Sequence, residues 1–510
     1  MAIFYAQNPS VFVLVTGILV FLLYYRNSKP KIQRDGKPLR CAPDSFPLLG
    51  HGLVFLRCRQ KLLSWFVKCE RQFGFETFLL SVPSLPPCVV VTNPKNVEWI
   101  LKNEVLFSKG SFVKNRLWDL FGNGIINVDN ELWKMQRKCG LKFFSKTNLE
   151  NIMTLALPHY LSQTVEVLES SDDSTIDMNN IFHELTTQLM GRVAYNMEIH
   201  HSDPFSRAFD YASSVTAERF QNPLWKVSEF FRAKKVRDAI SEVRSYGTFI
   251  VSNVMRERES DFTYEEKIKC FGSSCGTLID SLINETNDKR IIADAALSYL
   301  TAGRDTTGQA LSWTLYLLLK NPAHIRIARE QIEQTLKKNG SSGLGVRCLN
   351  TPLFRASSLP YIMAIFYESL RLFPPIPLEF KECQQPAILP DSTYLPKDTI
   401  ICWCTWAMNR SRLIWGEDAN DFRPERWIDN NNTFKPRSVF EFPVFNGGPR
   451  ICLGKKMAES LAVQTISTLI LRFDFELLDH QERISVNSLT LPMKDGFPCR
   501  VKIQESHDYV

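Results

Sequence analysis

Residues 445–456 read FNGGPRICLGKK. A single cysteine, Cys452, sits among three glycines, a proline and three basic side chains. Structural cysteines usually sit among aliphatic side chains. Here the glycines let backbone come close to a partner, and the positive charge favours a thiolate, the form that binds metals. A second group is Asp305-Thr306, inside TAGRDTTGQA at 301–310. An acid beside an alcohol can pass protons. A third is Glu368 and Arg371, spaced i, i+3 so that they share one face of a helix. Trp133 and Arg137 are spaced i, i+4. Each pattern is common on its own: a Glu–Arg pair is most often a solvated surface bridge. Their order along one chain is more informative.

The positioning elements follow from periodicity. The longest helical pattern runs from about Ile291 to Lys320 and ends before Pro322. Its polar, β-branched middle is a poor local choice for a buried helix, and local rules tend to fail at functional sites. A second helix, about Tyr361 to Phe373, stops at Pro374-Pro375, and a third starts just after Cys452. Short β-type runs occur at 86–92 and 395–406. The chain is therefore expected to be mainly α with small β-sheets. No repeat period is present.

The chain has 510 residues, 44% of them hydrophobic, with 35 Phe and a net charge of +7. That is enough for a large buried core, and the mild charge carries no nucleic-acid motif. Thirteen cysteines, an odd number, make a poor disulfide framework and favour reduced thiols. Cys402-Trp403-Cys404 has no second pair to complete a zinc site and reads as core. Val11–Tyr25 carries no charge and as a helix reaches about 22 Å, short of a hydrocarbon core of about 30 Å. Arg26, Lys29, Lys31, Arg34 and Lys37 follow it, and no Lys or Arg precedes it. That asymmetry predicts an N-terminal transmembrane anchor at 1–27 with the remainder cytosolic. A basic, Pro-rich hinge at 28–55 and a catalytic domain at 56–510 complete the expected organisation. GSSGLG at 340–345 has the wrong spacing for a dinucleotide loop, so electrons must come from elsewhere.

Taken together, these segments resemble the cytochrome P-450 superfamily of haem-thiolate monooxygenases. Phe445 through Gly454 fits F-x-x-G-x-R-x-C-x-G; Ala302-Gly303-Arg304-Asp305-Thr306-Thr307 fits the oxygen-binding helix; Glu368-Ser369-Leu370-Arg371 fits E-x-x-R. Phe422 through Trp427 supplies a further arginine, Arg426, and Trp133 with Arg137 fits W-x-x-x-R. The resemblance implies that Cys452 ligates the iron of haem b, a thiolate that favours O–O cleavage. Gly448 and Gly454 would let backbone approach sulfur and porphyrin, with Phe445 in the same loop. Arg450, Trp133 and Arg137 would meet the propionates. Ala302, Gly303 and Thr306 would form a notch for dioxygen, with Asp305 and Thr306 relaying protons. Glu368, Arg371 and Arg426 would be a structural ion cluster behind the haem.

The resemblance extends to the plant and fungal fatty-acid and alkane ω-hydroxylases, through 108–138, 406–427 and 488–496. It implies a long-chain fatty acid or alkane as substrate, with a steroid or other lipophilic molecule as the alternative. Substrate contacts expected by position are Phe112, Leu120, Phe121, Ile125, Leu300, Ile376, Leu378, Leu491 and Pro492. The stretch 200–275, which should roof the pocket, matches least. The implied partners are an NADPH-cytochrome reductase, cytochrome b5 and the endoplasmic-reticulum membrane. Lys134, Lys138 and Lys142, with Lys455 and Lys456, would offer the reductase a basic face. A peroxide isomerase and a haem-binding carrier are the rivals. Asp305-Thr306 argues against the first, and the relay with the basic face argues against the second.

Overall fold

The computed structural model describes Gly17 and residues 32–46, 49–57, 59–82, 85–222, 224–260, 277–338, 354–355, 357–479 and 481–504. Apart from Gly17, the expected anchor at 1–27 lies outside these residues, as do part of the hinge and the 340–345 loop. Among the described residues no helix is long and apolar enough to cross a membrane.

Helices dominate. Those that build the site are α1 (Arg59–Phe73), α2 (Pro94–Lys102), α3 (Gly110–Phe121), α4 (Asn130–Phe143), α5 (Met178–Tyr195), α6 (Pro204–Gln221), α7 (Lys289–Lys320), α8 (Pro360–Leu372) and α9 (Lys455–Arg472). The axis is α7, 32 residues and about 48 Å long. Asp288 starts it by accepting hydrogen bonds from the amides of Arg290 and Ile291. Leu297, Leu311, Leu315 and Leu318 are among the many α7 residues buried in the main core. Helices α5, α8 and α9 all pack against it.

Three sheets are present among the described residues. The largest has five strands, β1 (Phe78–Leu80), β2 (Cys88–Val90), β3 (Phe107–Ser108), β4 (Glu379–Cys383) and β5 (Ile400–Trp403), in the order β1-β2-β5-β4-β3. Strand β5 pairs parallel with β2, Ile401 opposite Val89, so two β-type runs far apart in sequence lie side by side. Cys402 and Cys404 are buried, and the described cysteines are free thiols.

Glu368 and Arg371 on α8 are both fully buried. The Arg371 guanidinium donates from Nε and Nη2 to the two Glu368 oxygens at 2.8 and 2.7 Å. Glu368 also accepts from Arg426 Nε at 3.0 Å, Trp427 Nε1 at 2.9 Å and the Arg423 amide at 2.8 Å. Arg371 reaches the carbonyls of Asn409, Ala419 and Asp421. One carboxylate thus ties α8 to the 409–427 segment. A buried ion cluster of this kind is costly to break from one side, because a charge is left without its partner. Glu368→Gln is expected to lower unfolding free energy by roughly 3–5 kcal/mol, read as a shift in the urea midpoint. A midpoint equal to that of the parent would show that the cluster is not what holds this segment.

Candidate active site

Phe445 and Cys452 belong to a loop that feeds directly into α9. The Cys452 amide donates to the Phe445 carbonyl at 2.8 Å, which closes the loop. Its sulfur faces an interior cavity of about 450 Å3. Burial pushes the Cys452 thiol up from its ordinary value; the Gly454 amide and the charges of Arg137 and Lys455 pull it down. Those last three groups are what a bound thiolate needs.

The same cavity receives Trp133, Arg137, Ala302, Gly303, Asp305, Thr306, Phe445, Arg450 and Gly454. Arg137 Nη1 donates to the Ile451 carbonyl at 2.9 Å. Arg450 lies over the Trp133 ring at 4.7 Å and pairs with Asp129 at 2.6 Å and with Glu104. Lys381, unsuspected from sequence, also lines the cavity and binds Glu104 at 2.5 Å. Burial pushes its pKa down to about 8, although Glu104 opposes the shift.

The two loop glycines have different jobs. Gly448 has φ of +61°, and a Cβ there would run into the Leu101 carbonyl of α2. It brings the loop against α2. A Cβ on Gly454 would meet nothing within 4 Å. The sulfur donor, the cradle at Gly454, the basic side chains and the apolar walls together fit a haem. Cys452 would hold the iron, and Trp133, Arg137, Arg450 and Lys381 would hold the propionate edge.

Helix α7 is buried along most of its length, yet Ala302 is exposed to the cavity, with Gly303 and Thr306 half-exposed. Thr306 Oγ1 donates to the Ala302 carbonyl at 2.7 Å. This back-bond competes with the helix ladder and aims the alcohol along the cavity face. Gly303 serves packing as well, since a Cβ there would collide with Met190 of α5. Asp305 is buried, with Arg304 Nε 3.3 Å from its Oδ1. Arg304 is fully buried too, and its Nη2 lies 3.3 Å from His201 and 3.6 Å from Asp210. Burial pushes the Asp305 carboxyl up to about 6, opposed by Arg304 and assisted by Asp210. The sequence signal for this cluster was an arginine in the middle of a helix expected to be buried.

Of the expected substrate contacts, Phe121, Ile125, Ile376 and Leu378 line the cavity. Phe112, Leu120, Leu300, Leu491 and Pro492 are not in its wall. Phe112 packs behind it against Phe220 and Phe380. Leu300 stands two residues before Ala302, about 200° around the helix. Leu491 is buried through its backbone, its amide donating to Gln309 and its carbonyl accepting from Trp313. The wall instead includes Thr490 and a stripe from α6: Phe209, Ser213, Ala217, Phe220 and Gln221. The i, i+4, i+8 spacing of Phe209, Ser213 and Ala217 was the available signal.

The expected reductase face is partly neutralised. Lys134 pairs with Glu131 at 2.6 Å and Lys138 with Glu285 at 2.9 Å, while Lys142 and Lys456 are exposed.

A family model described as Cytochrome P450 matches residues 41–499. Among curated proteins, "Cytochrome P450 94A1" of Vicia sativa is 29% identical over 489 residues, 91% of each chain. "Cytochrome P450 CYP94D108" of Paris polyphylla is 30% identical, covering 81% of this chain and 84% of its own. "Cytochrome P450 monooxygenase cyp1" of Mycosarcoma maydis is 29% identical, covering 96% and 80%.

The two glycines should separate on substitution. Gly448→Ala is expected to cost at least roughly 1–2 kcal/mol from its left-handed backbone alone, whereas Gly454→Ala should leave folding stability unchanged. Equal urea midpoints for the two variants would contradict the assignment.

Proposed function

Because the chain belongs to the cytochrome P450 family of haem-thiolate monooxygenases, we propose that it hydroxylates a long-chain fatty acid or alkane at the endoplasmic-reticulum membrane, with electrons from an NADPH-dependent reductase. The observation that carries the substrate reading is the cavity. Its walls are mainly apolar, and Cys452 and the Ala302–Thr306 face open onto it. An apolar chain gains about 0.8 kcal/mol for each buried CH2. Affinity should therefore rise with chain length until the cavity is full. The likeness of the motifs to the ω-hydroxylase group supports the same class.

Haem b supplies the iron at which dioxygen is reduced and a C–H bond is oxidised. The chain's own residues do the rest. Cys452 would be the anionic ligand; Arg137, Lys455 and the Gly454 amide oppose the burial that pushes its thiol up. Apolar walls exclude water. Thr306 Oγ1, whose hydrogen is held by the Ala302 carbonyl, offers an acceptor on the cavity side; rotation of the hydroxyl would turn that proton to the cavity, and Asp305 behind it could replace it. The Asp305 carboxyl holds a proton below about pH 6 and is ionised above it.

Membrane residence is supported by the charge-free segment at 11–25 and the cations after it. It is also supported by exposed apolar side chains: Phe46, Leu49, Leu53 and Leu56 near the start, and Leu224, Val227, Phe230 and Phe231 after α6. The reductase would dock on the face around Lys142, Lys455 and Lys456, where charge steers chiefly the on-rate. Cytochrome b5 would use the same face.

The test is product identification with the reductase and NADPH, offering fatty acids, alkanes and steroids in parallel. A hydroxylated fatty acid or alkane as the best product is expected; a steroid turned over faster would favour the alternative. In the same assay Thr306→Ala should lower product per NADPH and raise hydrogen peroxide. Product per NADPH in the parent should fall as pH rises through about 6, and Asp305→Asn should remove that dependence. Unchanged coupling in both variants would take the pair out of proton delivery.

A further inference from the structure

Three elements converge on one carboxylate at the basic end of the cavity. Lys381 stands on β4, Arg450 belongs to the ligand loop, and both line the cavity. Glu104 comes from the turn between α2 and β3 and is not part of the cavity wall. One of its oxygens takes the Lys381 ammonium at 2.5 Å, and the other takes Nε of Arg450. Backbone contacts station this turn. Asn103 closes α2 by donating its side-chain amide to the Trp99 carbonyl at 2.7 Å. The Leu106 carbonyl accepts from the Gln384 amide at 2.9 Å, and Phe107 pairs with Cys383 across β3 and β4. The carboxylate is therefore placed by α2 and the sheet, independently of the two cations.

The two cations depend on it unequally. Arg450 keeps other partners, since its Nη2 donates to Asp129 at 2.6 Å and to the Val128 carbonyl at 2.8 Å. Lys381 does not. Its side chain is 1% exposed, and among the described residues Glu104 is the only carboxylate within ion-pair distance of it. The other charges acting on it are Arg450 and Lys109, which both repel an ammonium. The nearby carboxylates are engaged elsewhere: Glu379 with Lys109 at 3.8 Å, Asp129 with Arg450 and with Lys114 at 2.8 Å. Burial, with those two cations, pushes the Lys381 pKa down to about 8, and Glu104 holds it from falling further. A buried ammonium deprived of its carboxylate sheds its proton more readily. Glu104 thus decides whether this lysine is a cation at neutral pH.

We propose that Glu104 is a positioning residue for the haem: from behind the cavity wall it fixes Lys381 and Arg450 with one oxygen each and keeps Lys381 a cation where a propionate would meet it. The inference rests on the assignment of Lys381 and Arg450 to the propionate edge, and it adds the group that makes Lys381 able to serve there. A carboxylate behind two anion-binding side chains also repels the anion they bind. That repulsion acts through the cations that stand between. The gain is direct, because a hydrogen bond from an ammonium is about twice as strong as one from a neutral amine.

The experiment follows haem leaving the loaded protein for an excess of apomyoglobin, across the range from about pH 6 to about pH 9 that brackets the lysine's titration. Loss from the parent should be slow and flat up to about pH 8 and quicken above it, as Lys381 gives up its proton. Without the carboxylate the lysine holds its proton less well, so in Glu104→Gln the step should move to lower pH. Near neutral pH that variant should lose haem roughly tenfold faster than the parent, the worth of one charge-assisted hydrogen bond. Lys381→Gln should have no step. Glu104→Asp, which keeps the charge, should keep the step near that of the parent, and it decides the matter if Glu104→Gln loads no haem. A Gln variant faster by one factor at every pH, its step unmoved, would make Glu104 merely structural and overturn the proposal. So would an Asp variant that behaves as the Gln variant does, a step that survives Lys381→Gln, or the absence of a step in both the parent and Glu104→Gln. A parent that takes up no haem would overturn the haem assignment itself, and the proposal with it.

Discussion

A fully buried carboxylate, Glu368, accepts five hydrogen bonds and organises the side of the molecule that holds the ligand loop. Three of its donors come from 423–427, and Arg371 extends the network to the carbonyls of Asn409, Ala419 and Asp421. Irregular backbone can be buried only if its polar groups are satisfied. The cluster does this for the long non-helical run that leads to Cys452. Trp427, in turn, sits in an aromatic group with Trp415, Tyr367 and Phe442. Tyr367 reaches Phe445, the first residue of the loop motif. Charge behind and aromatic packing in front fix where the sulfur faces.

On the other side, α7 meets an opposite demand. It must be buried for stability and yet present polar atoms to a cavity. It does so with a narrow face, Ala302, Gly303 and Thr306, on a helix otherwise in the core. The bond from Thr306 to the Ala302 carbonyl satisfies the alcohol locally. The buried Arg304 then holds the Asp305 carboxyl in contact with a cluster that includes Asp210, whose side chain is 60% exposed. Charged groups therefore run from Asp305 to the surface at Asp210.

Much of this was legible in the sequence where a residue type has few uses. A glycine-flanked cysteine, an E-x-x-R pair and an acid–alcohol step inside a helix are constrained by chemistry, and the C-terminal ends of α7 and α8 by Pro322 and Pro374. The substrate walls were not. Leu300 and Leu491 are apolar and close to the motifs, but helix phase and backbone pinning turn them away. Helix α6 lies in the stretch that matched least, and its contacts were missed because Ser213, Ala217 and Gln221 do not look like pocket residues. The close approach of Gly448 to Leu101 of α2 was not legible either, since nothing in sequence spacing says which surface a turn will meet. The parallel pairing of β2 with β5 is likewise a tertiary fact.

The central claim is that Cys452 is the iron's thiolate ligand at the end of this cavity. The most direct measurement is the absorption spectrum of the reduced carbon monoxide complex, recorded for the parent chain and for Cys452→Ser. The parent should show the red-shifted Soret band of a thiolate-ligated haem, and the variant should load less haem or lose that band. A variant that retained the red-shifted band would contradict the account.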